Sequence, residues 1–478
     1  MKNARSISVF NLVTMLLVGG VLLGLSGVAT AQVIQMSPYT KATEIVGDQQ
    51  IKRSPDTKAD EIVGDGGAAG APASYDLRNV GGVNYVTSVK NQGNCGSCWA
   101  FATYGAMESD LLLAGGPYAD YSENHLKNYH GFDYTPCDGG NAWMSMAYLS
   151  RLDGPVSEAD DPYHDWDDRP SPGGPRQRFL RNANVYDTAT EMKNAIMGTG
   201  GLYTSMLWAS ASYRASDYTY YYSGGDIDGG HAVTLIGWDD SKSTAGGTGA
   251  WLAKNSWSPS WGNNGYFWIS YQDVAACDYG ISFETDPVDT VTDVHYHDEF
   301  GNVAAVNTPY SCSVFETVEA EMLKSVGFYT EADNVGYEIR IFDNWVGGTP
   351  SGLLTTKSGT VDYEGFHVVD LDAIVELIAD DEFVVCLYLD NGFVSGDTTY
   401  YQAFDFAADG YSSTCTASLG ESYYSFDGST WTDLASWDGT ANFAVKAFVD
   451  AVPEPATLAM ILGLVGLGVC FRRGGRWS

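Results

Sequence analysis

The spacing of hydrophobic and polar positions changes rhythm along this chain, and the changes divide it. Residues 98–115, CWAFATYGAMESDLLLAG, follow Ser97 with good helix formers and stop at Gly115 and Gly116, which predicts a helix. Later come HAVTLIGW from His231, GAWLAKNSW from Gly249 and GYFWISY from Gly265, runs rich in β-branched and aromatic side chains that predict strands. A helix first and strands afterwards predict an α+β domain over residues 72–285. From 294 to 450 the texture is β throughout: YEIRIFDN, GFHVVDL, EFVVCLYLD and NFAVKAFV alternate or run apolar between Gly, Asp, Ser and Thr turns. That pattern predicts an all-β sandwich. Between the two, ETDPVDTVTD is acidic and contains Pro287, so residues 286–293 read as a linker.

The two ends follow other rules. Lys2 and Arg5 precede an apolar run from about 9 to 28, and Ala29-Thr30-Ala31 is a small-x-small cleavage site, so residues 1–31 read as a secretory signal peptide. Residues 32–71 hold the near-repeats TKATEIVGD and TKADEIVGD with few large apolar side chains, and read as a propeptide or linker. At the other end VPEPATLAMILGLVGLGVCFRRGGR carries an apolar stretch, 456–471, somewhat short for a full membrane span and followed by Arg472, Arg473 and Arg476. Residues 451–478 closely resemble the PEP-CTERM sorting tail. The resemblance implies an exosortase-type membrane enzyme as partner, and an extracellular or cell-surface address with a transient or retained anchor.

Charge narrows the choice of partner. Acidic residues outnumber basic ones by 60 to 25, a net −35, which repels nucleic acid and acidic polysaccharide and favours cations. Nucleic acid is rejected as a partner. Calcium in the β domain fits the acidity, but the acids form no EF-hand-like loop. Of eight cysteines, Cys470 lies in the tail, and the seven others sit in an exported, disulfide-permissive context. An odd count leaves at least one thiol over as a reactive candidate.

The stretch NQGNCGSCWAF, 91–101, places Cys95 and Cys98 three apart. A structural zinc site needs a second close pair, and none exists. A thioredoxin-type dithiol wants a βαβ context that is missing here. The remaining reading gives the two sulfurs separate tasks. Cys95-Gly96-Ser97-Cys98-Trp99 fits C-G-[SA]-C-[WY], with His231 lying 133 residues and Asn255 157 residues after Cys98. With SYDLRNVGGVNYVTSVKNQGNCGSCWAFA, CDGGNAW, GGHAVTLIGWDD and KNSWSPSWGNNGYFWIS in order, residues 72–285 resemble the papain-like (C1) cysteine peptidases.

That resemblance implies a two-lobed α+β peptidase hydrolysing peptide bonds, with a protein or peptide as substrate and no cofactor required. Cys98 would be the nucleophile, His231 its acid–base partner and Asn255 the residue orienting the imidazole. Gln92 would bind the oxyanion with the Cys98 backbone N–H. Pairing with an imidazolium can bring such a thiol to roughly 3–4, a fall of about 5 units or roughly 7 kcal/mol. Trp257 matches the indole that shields the His–Asn bond. Gly96, Gly139, Gly140 and Gly230 would border the substrate, and Cys95 would bridge to Cys137. Asn141, Ala142, Gly229 and Ala232 would neighbour the cleft and bear on specificity.

Other candidates have bland readings. His125, His130, His164 and His367 read as structural or surface residues, and His295 and His297, two apart on one strand face, are a weak metal pair. Cys277, Cys312, Cys386 and Cys415 cannot be paired from sequence. DWDDRPSPGGPRQR, 165–178, reads as a surface loop whose arginines are candidate self-cleavage points. Residues 294–450 resemble a lectin-like domain through LKSVGFYTEADNVGYEIRIFDN, GFHVVDLD and SYYSFDGSTWTDL, a name that suggests calcium or a surface polysaccharide as ligand, with a structural spacer as the equal alternative. The expectation is a secreted or surface-displayed cysteine endopeptidase. The alternatives are an idle adhesion or carbohydrate-binding protein, and a transpeptidase of the same fold.

Overall fold

The computed structural model describes residues 36–40, 70–166, 173–390, 393–394, 397–398 and 401–452. The expected signal peptide and the apolar sorting tail lie outside the described residues.

The predicted helix forms at Cys98–Leu113. It is buried on almost every side rather than along one stripe, as suits a helix through the middle of a lobe. Two shorter helices pack around it, Glu123–Tyr129 and Ala142–Ser150. Ser122 and Asn141 start them by accepting from the backbone N–H groups of His125 and Met144. The second lobe is built on the strand Gly229–Ser243, flanked antiparallel by Leu202–Trp208 and Thr248–Lys254, with Tyr266–Ser270 next. A helix at Ala189–Thr199, opened by a capping box between Thr188 and Glu191, covers this sheet. Trp238, Trp251, Leu235, Ile236 and Phe267 form its core.

The region after 294 is β, as its alternation predicts. A six-stranded sheet runs Thr349–Val361, Val335–Val346, Asp381–Asp390, Tyr310–Thr317, Ser422–Ser425, Thr432–Asp433. One face of it buries Ile339, Ile341, Phe383, Val385 and Leu387 against Leu323, Val326, Phe328 and Val445 of the strands opposite.

The sequence reading divides the two domains more cleanly than the structure does. Strand Gly365–Leu377 of the β domain pairs with Arg178–Tyr186 of the first, so that among the described residues one 14-stranded sheet crosses both. At the seam Gly365 has φ +138° and a Cβ there would lie 1.9 Å from the Ala183 carbonyl oxygen, so only glycine closes the ladder. The stretch read as a linker is likewise not free chain. Glu284–Pro287 pairs with Arg178–Tyr186, and Asp293–His295 pairs with Val445–Ala451. The Arg178 guanidinium donates to the Thr285 hydroxyl and carbonyl, which gives this acidic segment a cationic partner distant in sequence. Phe132 packs between Phe300 and Tyr411, at centroid distances of 4.9 and 4.8 Å.

Three further expectations change. Within the segment read as propeptide or linker, Met36–Thr40 adds an antiparallel strand to Ala304–Asn307 of the β domain. Cys312 and Cys386 face each other on neighbouring strands and form a disulfide, Cys98 and Cys415 remain thiols, and Cys277 belongs to neither bridge. His295 bonds Glu321 at 2.6 Å while His297 bonds the Val314 carbonyl at 2.7 Å, so the two imidazoles serve separate partners instead of a shared metal. Among the described residues no group of three or more His, Cys, Asp or Glu side chains is placed to hold a metal ion. In the loop 165–178, Arg176 donates to the carbonyls of Leu152 and Thr292, and Arg178 belongs to a strand, which removes both from a freely presented cleavage point.

Candidate active site

Cys98 is the first residue of the central helix, so its sulfur sits at the helix amino terminus with unsatisfied N–H groups and a positive dipole end beneath it. The backbone amides of Ala232, Trp99 and Cys98 itself point at the sulfur. Ala232 follows His231 on the strand Gly229–Ser243, so the antiparallel sheet brings the histidine to the thiol. Asn255 stands just past the end of the neighbouring strand Thr248–Lys254 and reaches the same point from one strand over.

The imidazole is held firmly. Its Nε2 lies 2.8 Å from Asn255 Oδ1, and the indole of Trp257 stacks on the ring at 4.4 Å and 24°. Trp208 and Trp261 then pack edge-on against Trp257, at 4.6 and 5.1 Å, and close the far side of the bond to water. An acceptor oxygen on Nε2 fixes the proton there and leaves Nδ1 with its lone pair.

Gln92 reaches the same cleft. Its amide Nε2 donates to the Cys95 carbonyl at 2.8 Å, and its Oε1 accepts from Ser256 Oγ at 2.6 Å. One amide hydrogen is thereby spent on aiming the group and one is left for an oxyanion.

Cys95 and Cys137 are joined by a disulfide. The glycines beside it have packing reasons first. A Cβ on Gly96 would lie 2.5 Å from the Cys137 carbonyl oxygen, and one on Gly140 would enter the Trp99 ring at 2.4 Å. Gly139 takes φ +108°. Gly229 and Gly230 begin the histidine strand, opposite Trp208 and Leu207. Asn141, expected beside the cleft, is 1% exposed and donates to the Tyr411 hydroxyl of the β domain at 3.2 Å, while Ala142 is equally buried.

Burial works against each member of the expected ion pair taken alone. Burial pushes the Cys98 thiol up to about 11, the amides opposing it only in part. Burial pushes His231 down to about 4 against the hydrogen bond it donates to Asn255 Oδ1. Cys98 and His231 are each only 3% exposed, so each charge taken singly is disfavoured.

Sequence reasoning missed two layers. Tyr163 bonds Ser97 Oγ at 2.7 Å and the Gln92 carbonyl at 2.8 Å, tying the turn before Cys98 to the segment of Gln92. The local signal is Pro162-Tyr163 in a loop otherwise rich in acids. Behind the site lies a narrow crevice whose lining includes Lys90, Glu108, Glu123, Lys254 and Asn255. Burial alone would lower Lys90, but Glu123, Glu108 and Asp120 hold it raised. Burial pushes Glu123 up to about 8 and lowers Lys254. Asn255 Nδ2, buried and without a hydrogen-bond partner, belongs to the same lining.

This set can make a thiolate, hold the conjugate imidazolium and place two N–H donors near a developing oxyanion. Comparison with known proteins agrees with the geometry. Residues 71–285 match the papain family cysteine protease model, and residues 294–449 match the lectin like domain model. Cathepsin K of Mus musculus is 34% identical over 212 residues, covering 43% of this chain and 62% of that protein. Pro-cathepsin H of Bos taurus is 32% identical over 205 residues, with 41% and 59% covered. The chain thus spans about three-fifths of the length of these curated relatives. Among solved structures, the clostridial cysteine protease Cwp84 after propeptide cleavage superposes with a TM-score of 0.71 at 25% identity, over 79% of this chain and 99% of that one. The cysteine protease and lectin-like domains of Cwp84, a surface layer associated protein of Clostridium difficile, give 0.75 at 23% identity, over 89% and 100%. The architecture is therefore a papain-like domain followed by a lectin-like β domain.

Proposed function

We propose that this chain is an exported cysteine endopeptidase that cuts proteins at or near the cell surface. The observation that carries the reading is the convergence of three elements. The Cys98 thiol at a helix amino terminus meets the strand bearing His231, and the ring nitrogen of His231 turned away is fixed by Asn255 at 2.8 Å under Trp257.

The chemistry follows from these positions. The Cys98 proton passes to His231 Nδ1 as the sulfur attacks the scissile carbonyl carbon. The oxyanion accepts from the Cys98 N–H and the remaining Gln92 amide hydrogen. Collapse breaks the C–N bond, and the imidazolium gives its proton to the leaving amine. Water, deprotonated by the same imidazole, then hydrolyses the thioester and restores the thiol. Gly139 and Gly140 give an extended substrate backbone a wall without side chains. The −35 net charge keeps such an enzyme soluble outside the cell and directs it away from anionic polymers. The tail from Val-Pro-Glu-Pro onward would be the handle for an exosortase-type sorting enzyme and would set the final address.

The test is hydrolysis of unfolded casein by the purified full chain, with an epoxide-type thiol inactivator as probe. Cleavage that ends when the inactivator labels Cys98, and that is missing in Cys98→Ala, is the expected result. A folded chain that neither cleaves nor takes the label contradicts the reading.

A further inference from the structure

Three ionisable side chains meet in the interior of the β domain, where its last strand passes the bend after its first. Asp298 follows the strand Asp293–His295, Lys446 belongs to Val445–Ala451, and those two strands pair antiparallel. Lys446 Nζ lies 2.7 Å from Asp298 Oδ2 and 3.1 Å from the Asp298 backbone carbonyl oxygen. Both side chains are 0% exposed, which keeps water away from the contact. The Tyr296 ring covers the amine, its centroid 4.7 Å from Nζ. Asp405, equally buried at the end of the strand Tyr401–Asp405, accepts from the Phe300 N–H at 3.1 Å and faces both partners.

A buried ion pair alone does not account for this arrangement. One amine meets two carboxyl groups, so full ionisation would leave a negative charge uncompensated in the core. Asp298 Oδ1 and Asp405 Oδ1 are both buried without a hydrogen-bond partner, whereas buried polar atoms ordinarily have one. Burial works towards the uncharged form of each group. It pushes Asp298 and Asp405 up and Lys446 down, the attraction between Asp298 and Lys446 opposing it in part. Those uncharged forms are the reactive ones, because a free amine is a nucleophile and a carboxylic acid carbon an electrophile. Transfer of one proton from Nζ to Oδ2 across the 2.7 Å contact produces them without any exchange with solvent.

We propose that Lys446 and Asp298 condense into an intramolecular amide, Nζ bonded to Cγ, with Asp405 shuttling the protons. The Nζ lone pair attacks Asp298 Cγ, and the carbonyl oxygen takes the Asp405 proton. The Asp405 carboxylate removes a proton from Nζ and passes it to one of the two hydroxyls on Cγ, which leaves as water. The other hydroxyl returns its proton to Asp405 as the carbonyl re-forms. The sum is amine plus acid giving amide plus water, with Asp405 unchanged and no oxidant or cofactor used. The product also satisfies both orphaned oxygens, since the amide carbonyl can accept from the Asp405 hydroxyl. Its two ends are 148 residues apart, so the bond fastens the first bend of the β domain to its last strand. The clamp is built within the β domain and stands whether or not the Cys98 cleft hydrolyses peptides.

The experiment is mass spectrometry of the full chain carrying Cys98→Ala, reduced and denatured, followed by tryptic mapping. This parent should weigh one water less than its sequence from the observed amino terminus. A branched peptide joining Asp298 to Lys446 should appear in the digest and survive reductant, as no disulfide does. Lys446→Met should show its full sequence mass and no branch. Asp405→Ala should yield about 10-fold less branched peptide, or lower still, because a positioned proton donor is worth about 100-fold or more in rate. Asp405→Asn keeps the side chain's shape, cannot shuttle the protons, and should do the same if the alanine variant does not fold. A parent of full sequence mass, its three groups an ion pair and a spare acid only, overturns the proposal. So does a water loss that maps to another residue, or a folded Asp405→Asn chain that branches as fully as the parent. The parent's own mass decides the first point, whatever the variants do.

Discussion

Replacing His231 with phenylalanine, which keeps the site filled and buried, should convert a pH-independent thiol reactivity into a steeply pH-dependent one. Burial sets Cys98 at about 11 and His231 at about 4. Moving the proton from sulfur to imidazole therefore spans about 7 units, or about 10 kcal/mol, if the two charges ignored each other. Opposite charges about 4 Å apart recover about 4 kcal/mol at an effective dielectric of 20. The helix amino terminus under the sulfur adds up to about 2. A deficit of about 4 kcal/mol remains, so about one molecule in a thousand holds the thiolate–imidazolium pair. Transfer within the pair exchanges no proton with solvent, so this fraction stays level between about pH 4 and pH 11. In His231→Phe the thiolate forms only by losing its proton to solvent. Its fraction at pH 6 is then about one in 10⁵, rising tenfold per pH unit from a thiol near 11. The iodoacetamide alkylation rate of Cys98, followed by mass spectrometry from pH 5 to 10, should be level in the parent up to about pH 8 and about 100-fold lower in the variant at pH 6. Above about pH 8 direct loss of the thiol proton to solvent dominates in both, and the two profiles should merge. A parent rate that climbs tenfold per unit from pH 6, or a variant that matches the parent, would refute the reasoning.

Two stability measurements, both in Cys98→Ala to prevent self-digestion, address the scaffold. Gly140→Ala should destabilise the chain by about 1–3 kcal/mol in urea, because the new Cβ would lie 2.4 Å from an atom of the fully buried Trp99 ring. Asp110, in the last turn of the Cys98–Leu113 helix, is pushed up to about 7, by burial first and by Glu284 second, with Arg178 opposing. Its folded value lies above the unfolded value of about 3.9, so the folded state keeps a proton the unfolded chain releases, and stability falls as pH rises from about 4 to 7. Asp110→Asn should therefore raise the urea midpoint at pH 8, by up to about 4 kcal/mol of stability, and leave it nearly unchanged at pH 4.

Much of the molecule was legible because its chemistry is written in short stretches. Cys98 sits where a helix signal begins, and His231 sits on a run whose β-branched and aromatic residues mark a strand. The parts that stayed hidden depend on groups far apart in the chain. Lys90, Glu108, Glu123 and Lys254 come from four separate segments, and each alone reads as an ordinary surface charge. Tyr163 acts through one hydroxyl on two loops, which no spacing announces. The acidic run at 284–293 looked like a linker because composition cannot show that Arg178 waits beside it. The Cys312–Cys386 pair needed strand register, which the alternation of neither strand supplies alone. The upward push on Cys98 and the downward push on His231 depend on how tightly the cleft is packed, and the residue types do not carry that.

The shared sheet has a mechanical consequence. Two domains joined by a flexible tether would sweep a volume, and the cutting edge would reach anything within the tether's length. Here the ladder between Gly365–Leu377 and Arg178–Tyr186 makes the β domain a bracket rather than a leash. Wherever the β domain rests, the cleft is then held at a set height and heading relative to it. Which peptide bonds are cut would be decided as much by leverage and reach, as with a blade clamped to a bench, as by side-chain preference in the cleft.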